Sequence, residues 1–165
     1  MRTTIRVSAV LAAILSLAGS SARAQSANIN ATATVFQAMT VTGARPLDFG
    51  NVFPGVAAAI PVTAATSGRF DLTGQNGANV NLTFTLPTNL TSGANNLPIG
   101  TWTGCTSPTN TTAGCTAFTP SPSATASGFS GAGALFVFVG GTVTPAGNQP
   151  AGTYTGTVTL TAAYF

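Results

Sequence analysis

The sequence predicts an all-β fold, a sandwich or barrel of short strands. Two observations carry this. Apolar and polar residues alternate with period two in several separate stretches, and none past residue 24 keeps the roughly 3.6-residue period of a helix for a useful length. Thr, Val, Ser, Asn and Gly make up much of the chain, whereas Lys and Glu, usual on helix surfaces, are absent.

The N-terminal stretch stands apart. Arg2 and Arg6 precede an apolar run over Val7–Ala18, and Ala22-Arg23-Ala24 places small residues at a peptidase site. A basic start, a short apolar run and an A-x-A site read as a secretory signal peptide over 1–24. The run is too short for a membrane-spanning helix of about 20 apolar residues. Cleavage leaves 25–165, a length that suits one domain. The expected location is the periplasm, the cell surface or the medium of a Gram-negative bacterium.

Removing the leader changes the charge. The formal +3 includes Arg2, Arg6 and Arg23; what remains is Arg45, Arg69, Asp48 and Asp71, which cancel. A nucleic-acid partner, which needs clustered Lys and Arg, is therefore not expected, nor is a basic membrane-surface patch. An uncharged, Thr-rich surface is poorly defended against self-association.

The elements follow in order. Asn28–Val35 reads as the first strand, with Ile29, Ala31, Ala33 and Val35 on one face and Asn30, Thr32 and Thr34 on the other. Met39–Thr42 extends or follows it. Pro46–Gly50 reads as a short strand, Phe53-Pro54-Gly55 as a turn, and Ala57–Val62 and Gly68–Leu72 as strands. Asn76-Gly77 then carries the signal of a β-hairpin into Val80–Leu86, where Val80, Leu82, Phe84 and Leu86 share a face. Residues 88–133 lose the alternation and hold Pro98, Pro108, Pro120 and Pro122. They read as a loop-rich insertion or a long hairpin, with short strands at Ile99–Thr103, Cys115–Phe118 and Ala124–Phe129. Ala134–Val139 is apolar throughout, as in a strand buried on both faces. Gly140-Gly141 reads as a turn or bulge. Thr153–Tyr164 closes the domain as one long strand, with Tyr154, Val158, Leu160 and Tyr164 on one face.

Cys105 and Cys115 are the only cysteines, and an even count in an exported chain predicts a disulfide between them. With no His, neither a Ser-His-Asp nor a Cys-His arrangement can form, and soft metal ligands are too few. Asp48 and Asp71 are the only carboxylates and are read as a turn cap and an ion-pair partner of Arg69 rather than as a glycosidase pair. No catalytic residue, metal or small-molecule cofactor is expected.

Three segments carry a resemblance. Leu47-Asp48-Phe49-Gly50 through Pro54-Gly55, Gly68-Arg69-Phe70 through Leu86-Pro87, and Gly140-Gly141-Thr142-Val143 through Tyr164 resemble a family of short secreted bacterial domains of unassigned function. The last, with Gly152, Tyr154, Val158, Leu160 and Tyr164, also resembles the ending of spore-coat-U-type domains and archaic chaperone–usher pilins. The resemblance implies an immunoglobulin-like β-sandwich of pilin or adhesin type, whose partners are further pilin-like subunits and a periplasmic chaperone. In such pilins a neighbour's N-terminal strand fills a groove by strand addition. Ile29, Ala31, Ala33 and Val35 are the candidate inserting residues, unless Asn28–Val35 is the first strand of its own domain.

The expected function is an exported structural or adhesive surface subunit. One alternative is a self-complete secreted binding module, with Trp102 and Phe118 beside the disulfide as contacts. Another is a small outer-membrane β-barrel, suggested by the alternating ending Thr-Leu-Thr-Ala-Ala-Tyr-Phe.

Overall fold

The computed structural model describes residues 24–165, so the signal-peptide reading lies, but for Ala24, outside the described residues. The chain divides into two units, Met1–Thr34 and Val35–Phe165. In the first, residues 24–34 form no strand, and Ile29 is 93% exposed. Val35, at the start of the second unit, is 90% exposed and also outside any strand. The strand expected over Asn28–Val35 therefore has the alternation but no ladder. A strand is held by backbone pairing as well as by its side-chain pattern, and among the described residues this segment has no such partner.

The second unit is a β-sandwich. Its strands are β1 (Thr40–Arg45), β2 (Ala58–Ile60), β3 (Gly68–Thr73), β4 (Asn79–Thr85), β5 (Asn89–Ser92), β6 (Asn95–Ser107), β7 (Thr116–Phe118), β8 (Thr125–Gly128), β9 (Ala134–Val143) and β10 (Thr159–Tyr164). The larger sheet runs β1-β3-β9-β6-β5, with β2 beside the end of β9 and β7 beside the end of β6. The smaller runs β10-β4-β8, and every pairing is antiparallel. Two sheets facing across a side-chain core take the place of the single closed sheet that a membrane barrel requires.

The core follows the alternation. Val80, Leu82 and Phe84 of β4 and Leu160 of β10 meet Leu72 of β3 and Leu135, Val137 and Val139 of β9. A second cluster of Leu97, Ile99 and Val143 lies at the other end of the larger sheet.

Three expectations change. Asn76-Gly77 makes a turn, with Gly77 at φ 67° and Ala78 N–H donating to the Gln75 carbonyl, but its flanking strands join different sheets. It is an arch rather than a hairpin. Gly74 N–H bonds to the Gly133 carbonyl and Gly77 N–H to that of Ser130, so the turn's partner is the 130–133 loop. Pro46–Gly50 forms no strand. The Gly140-Gly141 pair does not interrupt β9, which continues through it to Val143.

The largest correction concerns residues 88–133, which are structural rather than an insertion. They contain the longest strand, β6, whose alternation is broken by a bulge. Gly100 faces Thr142 and Thr103 faces Gly140, so β6 carries one extra residue there, and Thr101 adopts φ 47°. Leu97 and Ile99 point inward before the bulge, Trp102 and Gly104 after it. The inward face passes from odd to even numbers, which hides the strand from a period-two reading. The chain from Cys115 onward then closes one flank. β7 pairs with β6, the Ser121 carbonyl accepts from Phe84 N–H at 2.9 Å, and β8 pairs with β4. One segment thus spans from the larger sheet to the smaller.

Candidate functional site

The opposite flank is open. β1 is bonded only to β3 and β10 only to β4, so among the described residues each presents an edge without a ladder partner. The two edges are close at the Tyr164 end and separate toward the other. There the second half of the sandwich opens into a groove of about 670 Å³. One rim is Gly43 with Arg45–Val52; the other is Gly152–Val158. The floor consists of Phe70, Leu97, Ile99, Trp102, Val139 and Val143. These are core side chains, so the groove reaches the interior of the sandwich.

The closing segment explains why. The long strand expected over Thr153–Tyr164 is in a ladder only from Thr159. Thr155 makes a two-way bridge to Thr91 of β5, at 2.8 and 3.0 Å, so this part of the chain bonds to the β5 side of the larger sheet before it crosses to the smaller. A chain that changes sheets cannot line both of them, and the crossing leaves the gap. The alternation nevertheless holds: Tyr154, Val158, Leu160 and Tyr164 all pack against the core clusters. Gly152 sits on the rim, where an added Cβ would meet Ser92 Oγ at 2.8 Å.

Two tyrosines fix the ends of this segment. Tyr154 donates to the Pro150 carbonyl at 2.8 Å and accepts from Gln149 Nε2 at 2.7 Å. Tyr164 donates to the Gln37 carbonyl at 2.9 Å and accepts from Gln75 N–H at 2.7 Å, while Phe36 packs edge-on to its ring. One hydroxyl therefore ties together the last strand, the arch and the chain entering β1. Tyr164→Phe leaves the Gln75 donor without this partner and is expected to cost about 1–3 kcal/mol in denaturant unfolding.

The rim carries the few charges near the groove. Arg45 donates from Nε to the Ser67 carbonyl at 2.6 Å and from Nη2 to Ser67 Oγ at 2.7 Å. Asp48 Oδ1 accepts from Gly50 N–H at 2.8 Å, a turn cap. Asp71 is engaged by Arg69 Nε and Nη2 at 2.7 and 3.0 Å. The two carboxylates thus hold the separate roles expected of them. No group of three or more His, Cys, Asp or Glu comes together among the described residues.

Cys105 and Cys115 are joined as expected. The loop between them crosses the outer face of the larger sheet. Cys105 and Arg69 flank Phe138 from the two neighbouring strands, and Asn110 Oδ1 accepts from Arg69 Nη1 at 2.7 Å. Phe138 is buried although it points away from the core. The bridge also fixes the start of β7, whose Phe118 lies over Gly104 and against Phe84, with ring centroids 5.6 Å apart. Phe118 is thus a packing residue, while Trp102 lines the groove. Cys105→Ser with Cys115→Ser is expected to cost about 2.5–3 kcal/mol by loop entropy. Amide exchange should accelerate at Thr116–Phe118 before it does in β9.

A family described as "Domain of unknown function (DUF4402)" matches residues 39–164. The chain belongs to this family. The match covers the sandwich from just before β1 through β10, including both rims of the groove and the closed flank, so residues 88–133 are part of the DUF4402 domain. No curated protein and no solved structure matches the chain.

Proposed function

We propose that this DUF4402 domain is an exported, non-enzymatic surface subunit, an immunoglobulin-like sandwich of pilin type that associates with further copies by β-strand addition. The groove between β1 with Arg45–Val52 and Gly152–Val158 is the observation that carries this reading. It has an apolar floor and two rims, the geometry an added strand needs: main-chain bonds at an edge and pockets for alternate side chains. The donor is residues Ile29–Val35 of a neighbouring copy. Ile29, Ala31, Ala33 and Val35 share one face and are exposed in this structure. Ile29–Val35 and the rim Gly152–Val158 are both seven residues long, about 23 Å when extended. Export fits the leader-like residues 1–24 and the disulfide, which persists in oxidising compartments. A strand-seeking subunit with an open core needs cover in transit, and a periplasmic chaperone would supply it.

Trp102 is the single tryptophan and lines the groove, so its fluorescence reports occupancy. A synthetic peptide of residues 25–35 is expected to shift Trp102 emission to the blue, and the same peptide carrying Ile29→Asp is not. Unchanged emission with the native peptide at millimolar concentration overturns the reading in favour of a self-complete module.

A further inference from the structure

The disulfide joins two sulfurs in unlike surroundings. Cys105 is 2% exposed, while Cys115 is half-buried. Cys105 lies within the larger sheet, paired with Phe138 of β9 on one side and Ala117 of β7 on the other. Gly104 faces Phe118 in the core, so Cys105 points to the outer face, as does Ser107, which is also 2% exposed. The loop closed by the bridge turns back over this face. Thr109 N–H donates to Ser107 Oγ at 3.3 Å, and Asn110 is held by Arg69. Cys115 stands at the far end of that loop. It follows Gly114, at φ 68°, in a run where Thr111, Ala113 and Gly114 are exposed, and β7 begins only after it.

Thiol–disulfide exchange requires a thiolate to reach one sulfur while the other leaves, so access decides which sulfur is attacked. Cys115 Sγ can be met from solvent. Cys105 Sγ lies behind Phe138, β7 and its own partner.

We propose that Cys115 is the sulfur through which this disulfide is made and opened, and that its reaction partner is a thiol or disulfide at the surface of another molecule. In an exporting cell that partner is the exposed cysteine of a dithiol oxidoreductase. In opening, the partner's thiolate bonds to Cys115 Sγ, the bond between Cys105 and Cys115 breaks, and Cys105 leaves as the thiolate. In closure, the Cys115 thiolate attacks the partner's disulfide, forms a mixed disulfide and releases one partner thiolate. The Cys105 thiolate then attacks Cys115 Sγ and releases the second. Two electrons pass from the cysteines to the partner, and their two protons end on the partner's thiols. The fold prepares the second step. Pairing of Gly104–Thr106 with Thr116–Phe118 brings the two Cα atoms to 5.8 Å, within the span that a disulfide bridges. The order of the sulfurs is independent of the groove; only the partner's compartment rests on the export reading.

The test exposes residues 25–165 carrying Cys105→Ser, and separately Cys115→Ser, to oxidised glutathione in native buffer and in urea, with uptake read by intact mass. In native buffer Cys115 is expected to react faster than Cys105 by about tenfold or more, and in urea the two should react at similar rates. Equal native rates, or faster uptake at Cys105, overturn the proposal. The parent chain provides an arm without substitutions: brief treatment with reduced glutathione, acid quench and peptide mapping. The adduct is expected on Cys115, with Cys105 as the free thiol. An adduct on Cys105, or one divided evenly between the two, overturns the proposal even where a variant fails to fold. So does a bond that opens only in urea.

Discussion

Phe84→Ala is expected to destabilise the DUF4402 domain by about 3–5 kcal/mol, the cost of emptying a core phenylalanine site. Phe84 is 2% exposed at the centre of the smaller sheet, paired with Leu160 on β10. Its ring meets Phe118, and its N–H holds the Ser121 carbonyl, so it is also where the closed flank is fastened to the core. The truncation removes the ring that Phe118 rests on and should loosen β7 and β8 with it. A domain of this size has a stability of about 5–15 kcal/mol, so the variant should be folded but marginal. Urea unfolding followed by Trp102 emission measures this loss. A cost below about 1 kcal/mol would mean that Phe118 collapses into the vacated space.

Ile29→Asp combined with Val35→Asp is expected to abolish association of residues 25–165 while leaving their unfolding midpoint unchanged. Both residues are exposed and outside every strand, so a carboxylate there costs the isolated domain nothing measurable. In an occupied groove the same carboxylates would meet Val139, Ile99 and Trp102, with their charge taken out of water and no cation supplied for each. Sedimentation of parent and variant at matched concentration reads the difference. Equal association of the two would remove Ile29–Val35 from the contact. A lowered midpoint would instead make the segment part of its own domain.

Much of the sandwich is legible in the residues. Val80–Leu86 and the even-numbered face of Tyr154–Tyr164 stand where their patterns put them, because a strand with one buried face must alternate, and Ala134–Val139 does so because a strand covered on both faces is apolar throughout. Cys105 and Cys115 had one intramolecular pairing open to them. The short strands expected at Ile99–Thr103, Cys115–Phe118 and Ala124–Phe129 fall on β6, β7 and β8, but the full length of β6 is hidden because the alternation rule assumes an unbroken register, and the single extra residue near Thr101 reverses the face of β6 halfway along. The Asn76-Gly77 arch differs from the expected hairpin for a related reason. A turn signal specifies a local backbone shape, but whether the chain leaves the turn beside its own strand or on the opposite sheet depends on the bonds that Gly74 and Gly77 make to the 130–133 loop, which is far away in sequence.

The all-β character, the charge balance of residues 25–165 and the absence of His, Lys and Glu belong to the residues alone, since composition and short-range period settle them without reference to any partner. The groove belongs to the tertiary structure. It arises where Gly152–Val158 bonds to β5 through Thr155 and then crosses to β4, leaving β1 and β10 apart over Phe70 and Trp102. No local pattern encodes that gap, because it is a mismatch between pairings made by residues more than sixty positions apart.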